Sequence, residues 1–275
     1  MATQATTRAC PVAPASAGVI LPSFTLWWRE IVRFYRQPGR VVGVLASPLV
    51  FWLVLGSGFG SSLRSAPGGA QQQYLDYFYP GTLILIVLFT SIFTMMSVIE
   101  DRKEGFLLSV LVAPVPRTAI VLGKVLGGTT LAAVQGLMFL IFAPFAGVHL
   151  EPAQILLVAV VVFLVSFSLT ALGFAIAWPM DSSQAFHGIV NLFLIPMWLL
   201  SGALFPLNGA SGWIRALMNL NPLTYGVKAL RLLLYASQDN AFAIKSAMAT
   251  LLLFSLVMFG LALLMANRRT TKPAA

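Results

Sequence analysis

Residues 154–178 carry no charged side chain, and the run is long enough to cross a bilayer as one helix. The hydrocarbon core is about 30 Å thick, so about 20 apolar residues span it. Five further runs, at 41–60, 78–99, 118–143, 186–205 and 243–266, are also long and apolar enough, two of them with a single lysine each, Lys124 and Lys245. Backbone inside hydrocarbon must satisfy its own hydrogen bonds, and single segments of this length do so as α-helices. The expected fold is an all-α polytopic membrane protein with six transmembrane helices. Composition agrees: 59% of the 275 residues are hydrophobic and only 9% are charged. Soluble domains carry about 25% charged residues, so an ordinary soluble domain or a disordered chain is excluded. The single cysteine, Cys10, leaves no internal disulfide framework.

Charge placement sets the expected orientation. With the N-terminus inside, the cytoplasmic segments hold twelve of the 17 basic residues, among them Arg29, Arg33, Arg36, Arg102, Lys103 and Lys124. The opposite side holds Arg64, Arg215, Lys228, Arg231 and Lys245. The positive-inside rule therefore places both termini in the cytoplasm. The net charge of +9 is read the same way, as topology and attraction to anionic membrane lipid, with no nucleic-acid partner.

Residues 1–22, with Pro11, Pro14 and Pro22, read as a flexible cytoplasmic tail without a signal peptide. Residues 23–39 read as an amphipathic helix in the membrane interface, with Ser23 as its N-cap. On a helical wheel Phe24, Trp27, Trp28, Ile31 and Tyr35 share one arc, and Arg29, Arg33 and Arg36 oppose it. Pro38-Gly39 should end this helix before the first span. Residues 270–275 form a second cytoplasmic tail.

Two loops stand out. The cytoplasmic loop at 100–117 opens with Glu100, Asp101, Arg102, Lys103, Glu104 and Gly105. This charge cluster should sit in water or headgroups. The apolar stretch from Phe106 to Val112 is too short to span and should form a short surface helix, ended by Pro114 and Pro116. The external loop at 206–242 is unusually apolar, with Trp213, Leu217, Leu220, Leu230 and Leu233. Two short helices, at 212–220 and 224–235, separated at Asn221-Pro222, should dip back into the outer leaflet or cap the bundle. The second cytoplasmic loop, 179–183, reads as a turn.

Several chemistries are missing. No HExxH, GxSxG or GxxxxGK[ST] pattern occurs, and Gly123-Lys124 runs into Val125. The chain is expected to be no enzyme, to hold no metal and to bind no ATP by a phosphate loop. The acids all fall in loops, in the interfacial helix or at span ends, which disfavours an ion-coupled carrier.

Two stretches carry a family resemblance. One is Glu100 to Gly105, continued by Leu111-Val112-Ala113-Pro114-Val115-Pro116-Arg117 and Ile120 to Lys124. The other is Asn221-Pro222-Leu223-Thr224-Tyr225 with Ala229-Leu230-Arg231 after it. In this order among six spans they resemble the permease subunit of type-2 ABC transporters, in the branch of drug-resistance and nodulation-type exporters. The resemblance covers 24–269 and implies one transmembrane domain over 40–269. It implies that the charged loop with its short helix is a coupling helix that docks on a separate ABC-type ATPase. ATP and Mg would belong to that ATPase, and a second permease copy would complete a homodimer in the bacterial cytoplasmic (inner) membrane. It maps Glu100, Asp101, Arg102, Lys103, Glu104 and Gly105 to the coupling region. Trp27, Trp28, Arg29, Arg33 and Arg36 fall on the interfacial helix, and Trp213, Asn221, Pro222, Tyr225 and Arg231 in the external re-entrant segment. Many relatives carry another acid shortly after the glycine; Phe106-Leu107-Leu108-Ser109 has none.

Family members export drugs, lipids and lipid-linked glycans, so a small apolar or amphiphilic substrate is the expectation. Thr82 and Asn191, polar residues inside spans, are the cavity candidates, although a helix–helix hydrogen bond explains Asn191 equally well. A non-transporting scaffold that recruits a cytosolic partner through the charged loop, and an ion-coupled carrier, remain the alternatives.

Overall fold

A computed structural model describes residues 18–39, 42–43, 46, 48–54, 74–148, 151–206, 209–235 and 241–268. The described residues are 88% helical and contain no strand. Five helices are long and apolar enough to cross a membrane: Asp76–Lys103, Arg117–Ala146, Pro152–Ala177, Ser183–Ala203 and Ala241–Asn267. They match five of the six expected spans. The remaining run, 41–60, is described only in part, with residues 48–54 helical; 55–60 and the tails 1–17 and 270–275 lie outside the described residues.

Helix α1 covers Ile20–Tyr35. It starts earlier than the expected Ser23 cap: Val19 is the N-cap, and Ser23 lies inside the helix with its Oγ donating to Val19 O at 2.7 Å. Pro22 is tolerated because a first-turn residue has no intrahelical N–H to give up. The chain leaves the helix after Tyr35 and becomes helical again from Pro38, so the break falls at Arg36-Gln37, and Pro38 and Gly39 open the next helical stretch instead of ending this one.

Helix α2 covers Tyr74–Lys103 and α4 covers Arg117–Phe139, extended by a 3-10 segment over Leu140–Ala146. Between them the short α3 spans Phe106–Val112. Gly105 separates α2 from α3 at φ +76°, a left-handed conformation that glycine adopts without steric cost. Helix α5 covers Pro152–Ala177 and opens on a capping box, in which the Gln154 side chain accepts from Glu151 N at 3.0 Å. Helix α6 covers Ser183–Trp198 and runs into a π-turn over Leu199–Ala203. Helices α7 (Gly212–Leu220) and α8 (Pro222–Tyr235) are the two short helices expected in the loop at 206–242. Helix α9 covers Ala241–Asn267.

Helices α2, α4 and α5 form the centre, and α2 is the most enclosed of the spans. Helix α9 packs on α5, and α8 packs against α9, α5 and α2 with Leu223, Val227, Leu230 and Leu233 buried. The polar residues of the central spans hold helices together. Thr90 Oγ1 bonds to Gln135 across α2 and α4, and Ser91 Oγ lies 3.4 Å from Ser166 O across α2 and α5.

Helix α1 lies along α4 because of two glycines. A Cβ on Gly123 would stand 2.7 Å from Leu26 Cβ, and one on Gly127 would stand 2.8 Å from Glu30 Cβ. Gly123 and Gly127 form a small-xxx-small pair that lets two backbones approach. Gly127→Val should force α1 away from α4 at a cost of about 1–3 kcal/mol. We expect a lower unfolding temperature in detergent and faster proteolysis of the 20–36 segment in membranes. An unchanged cleavage rate would show that α1 does not depend on this contact.

Candidate functional site

The inward face of α1 is Ser23, Leu26, Glu30 and Phe34, a helical stripe set against α4 and the end of α2. The aromatic arc points away from the protein: Phe24, Trp28 and Tyr35 are more than half exposed, while Trp27 reaches back to donate to Thr130 Oγ1 at 3.0 Å. This geometry carries Glu30 into the packed interior, where it is 4% exposed.

Lys124 meets it there. Lying two turns into α4 and 2% exposed, Lys124 donates to Glu30 Oε1 at 2.6 Å, to Ser97 Oγ at 3.2 Å and to Asp101 Oδ2. Its three N–H donors thus find three acceptors. Ser97 Oγ in turn donates to Glu30 Oε2 at 2.7 Å. Asp101, fully buried in the last turn of α2, also takes a bidentate pair from Arg29 at 2.8 and 2.9 Å and a bond from Arg33 at 2.6 Å. A carboxylate offers about four lone-pair sites, and here all four are used. Arg33 continues to Glu100 at 2.9 Å and Glu104 at 3.4 Å. Burial, the largest single effect, works against the Arg29 charge, but the Asp101 hydrogen bond together with the negative charges of Asp101, Glu30 and Glu104 outweighs it, and the guanidinium pKa stands above its usual value.

Two groups that the sequence reading placed apart are therefore one site. Glu100, Asp101 and Glu104 of the charged turn face Arg29 and Arg33 of α1. Three expectations change. The charge cluster does not sit wholly in water or headgroups, because Asp101 is enclosed by protein. Arg29 and Arg33 face carboxylates, leaving Arg36 as the exposed arginine of that helix. Asp101 lies at a span end as expected, in the last turn of α2, but Lys124 is enclosed within α4 instead of sitting at its cytoplasmic edge. Glu30 and Lys124, which complete the site, escaped the sequence reading. The signals for them were a lysine inside an apolar run, flanked by Gly123 and Gly127, and an acid set among arginines.

The rest of the charged turn points elsewhere. Arg102 bonds to Asp181 at 2.9 Å, to Met180 O at 3.1 Å and to Trp178 O, and Lys103 reaches Ser183 Oγ at 3.4 Å. The α5–α6 connection is thereby tied to the charged turn and is more than a simple reversal. Below the cluster, α3 buries Leu107 and leaves Leu108 and Val112 exposed at 67% and 80%. Its first residue, Phe106, receives the Arg29 guanidinium 3.7 Å above its ring. A groove of 640 Å³ opens beside it between Trp28, Arg33, Arg36 and Glu104.

The other named residues lie elsewhere in the bundle. Asp76 and Asp101 are separated along α2 by about 37 Å at 1.5 Å per residue, so α8 and the start of α2 mark the opposite end from the cluster. There Trp213 is exposed, Pro222 opens α8, Tyr225 bonds to Asn219 O at 2.9 Å, and Asn221 and Arg231 contact the end of α6. Thr82 is fully buried and donates to Phe78 O within its own helix, so it faces the core rather than a cavity. Asn191 is exposed on α6.

Comparison with known proteins decides the family. The model of the ABC-2 type transporter family matches residues 23–235, from the α1 face that carries Glu30 to the end of α8. The chain belongs to the ABC-2 type transporter family. Similar proteins include the transport permease ycf38 of Cyanophora paradoxa, 29% identical over 76% of this chain and 73% of the relative. The daunorubicin resistance ABC transporter permease protein DrrB1 of Streptomyces coeruleorubidus is 24% identical over 82% of this chain and 78% of its own length. Nodulation protein J of Rhizobium meliloti is 23% identical over 77% and 80%. The chain is thus a multi-pass membrane transport permease, and the family assigns it no catalysis of its own.

For this ABC-2 permease the charge cluster should behave as a closed unit. Lys124→Met leaves Glu30 and Asp101 buried with a missing cation, and breaking a buried pair costs about 3–5 kcal/mol. Adding Glu30→Gln to Lys124→Met should restore part of that loss. Thermal unfolding in detergent reads both, and strictly additive losses would sink the assignment of a coupled cluster.

Proposed function

We propose that this chain is the membrane-spanning permease subunit of an ATP-driven exporter, and that ATP and Mg are bound and hydrolysed on a separate ABC-type ATPase subunit. The observation that carries the reading is α3. It is a short helix with an exposed apolar face, held to the bundle through Gly105, Leu107 and the Arg29–Phe106 contact, directly beneath the ion cluster. An exposed apolar face of this kind marks a protein contact. Its connection to Arg29 and Asp101 offers a path by which movement of a docked ATPase reaches α1, α2 and α4 together. The Arg102–Asp181 link adds the α5–α6 connection to the same surface.

A second copy of the chain is proposed against α6. Leu192 and Phe193 are exposed at 67% and 64%, and the exposed Asn191 amide beside them is poorly suited to lipid. The substrate is proposed to be a small apolar or amphiphilic molecule such as a drug, a lipid or a lipid-linked glycan. The name of the daunorubicin resistance relative favours this class, as does a 590 Å³ groove lined by Ile176, Phe193, Met197 and Leu217. The proposed location is the bacterial cytoplasmic membrane with both termini inside. An ion-coupled carrier gains nothing from Lys124, because its donors are already taken by Glu30, Ser97 and Asp101.

The test is purification of the tagged full chain from its own membrane with assay of ATPase activity on what accompanies it. A stoichiometric ATPase whose hydrolysis supports export is expected. Leu108→Asp and Val112→Asp should each weaken its binding by roughly 30-fold, the effect of losing an interface hot spot of about 2 kcal/mol. The amount of permease in the membrane should stay constant. A partner that binds without hydrolysis-linked export would favour the scaffold alternative.

A further inference from the structure

At the end of the bundle opposite the ion cluster, two spans each leave a backbone carbonyl without its helical partner. Helix α2 contains Pro80, which has no N–H, so the Asp76 carbonyl four residues earlier loses its helical partner. Helix α6 ends in the π-turn Leu199–Ala203, where Gly202 is left-handed at φ +81°. The residue four positions on from Gly202 is Pro206, so the helix cannot serve the Gly202 carbonyl either. The two sites touch. A Cβ on Gly81 would stand 2.6 Å from Ala203 Cβ, and Trp198 Nε1 donates to Gly81 O at 2.9 Å.

Side chains of α8 and of the residue that precedes it take up the orphaned carbonyls. Tyr235 OH donates to Asp76 O at 2.8 Å. Arg231 Nη2 lies 3.2 Å from Gly202 O and 3.4 Å from Tyr77 O, with its guanidinium 4.1 Å above the Tyr77 ring. Tyr77 OH adds a second donor to Gly202 O at 3.2 Å. Asn221 Nδ2 donates to Met197 O at the entrance to the π-turn, while its own Oδ1 accepts from Leu223 N.

We propose that α8 is the clasp of the outer gate, with Arg231 as its positioning residue. By bonding to the free carbonyls at these ends of α2 and α6 it holds them together in the closed state, and it releases them when the permease turns outward. The nature of the bonds supports a releasable contact. Among the described residues no carboxylate lies within 4.0 Å of Arg231, and its buried Nε has no hydrogen-bond partner. Its charge is met by carbonyl dipoles and a ring face, in contrast to Lys124, whose donors are saturated by two carboxylates and a hydroxyl. Contacts to dipoles hold less tightly than charge-to-charge bonds. One end of the bundle is therefore clamped by ion pairs, and the other is fastened by a contact that can open.

The proposal rests on the permease reading, and the test separates the two. Ser201, 1% exposed and inside the π-turn, is replaced by the near-isosteric cysteine in the full-length chain with Cys10→Ser, expressed with its native partners. Labelling by a membrane-impermeant maleimide is followed from outside, in energised and in energy-depleted cells. The parent should label faster when energised. Arg231→Met should label about tenfold faster than the parent in depleted cells, and Arg231→Lys should stay near the parent. Tyr235→Phe, which removes one hydroxyl, should label about fivefold faster and decides the matter if Arg231→Met does not accumulate. Protection of Ser201→Cys that is equal in parent, Arg231→Met and Tyr235→Phe would overturn the clasp. Labelling of the parent that ignores cellular energy would overturn the gate. Either result could stand beside intact hydrolysis-linked export, whereas failure of the permease reading would show as the absence of any copurifying ATPase.

Discussion

Lys124 and Asp101 set the terms for the rest of the structure. Each would be costly to bury alone, because a charge in a low-dielectric interior loses its hydration. Each is tolerated because the other elements deliver counter-charges at bonding distance, Glu30 and the two arginines from α1, and a further hydrogen-bond acceptor, Ser97 from α2. That requirement explains the glycines. Only Gly123 and Gly127 let α1 approach α4 closely enough for Glu30 to reach Lys124. It also explains the register of α1, whose inward stripe must carry Glu30 while its aromatic arc stays outside. A helix that looks in isolation like a membrane-surface helix is fixed to the bundle by ion pairs.

The consequence is mechanical. Packed cores and saturated polar networks are bistable rather than continuously deformable, so a push on one member moves the group. In the proposed cycle the ATPase engages α3, and the load passes through Arg29 and Asp101 into α1, α2 and α4 together. At the far end no comparable network of carboxylates exists among the described residues. The hydrogen bond missing at Pro80 and the left-handed Gly202 weaken that end, and in the proposed cycle the Arg231 and Tyr235 contacts set when it yields. A stiff input end and a releasable output end are what a lever between ATP hydrolysis and a gate requires.

The spans were legible in the sequence because about 20 uninterrupted apolar residues admit one solution in a bilayer. The two short helices at 212–220 and 222–235 were legible for a similar reason, since Asn221-Pro222 interrupts an apolar stretch that water would not accept. The site was half legible. Glu100, Asp101 and Glu104 stand out as a charge cluster, but their partners sit on α1, some 70 positions away in the chain, and periodicity carries no information on which helices meet. Charge counting by loops assigned Lys124 to the cytoplasmic edge and treated Glu30 as one more interfacial residue. The α1 start was misplaced for a local reason: Ser23 looks like a cap, yet its hydroxyl satisfies Val19 O and Ala119 O from within the helix.

What remains for the substrate follows from where the polar groups went. Thr82, Thr90, Ser91, Ser166, Ser168 and Gln135 are all buried in the protomer and bond within helices or between α2, α4 and α5. They are spent on assembly of the bundle and are withdrawn from any passage between two copies. The exposed face of α6 carries two amides, Gln184 near its start and Asn191 among Leu192, Phe193 and Ile195. A passage lined in this way discriminates by shape and apolar area, with little hydrogen-bond readout, and apolar pockets separate close analogues only weakly. On the proposed pairing of two copies through α6, the permease would therefore accept a range of amphiphiles of similar bulk, and selectivity between them would rest on whether the molecule fits between the two α6 helices.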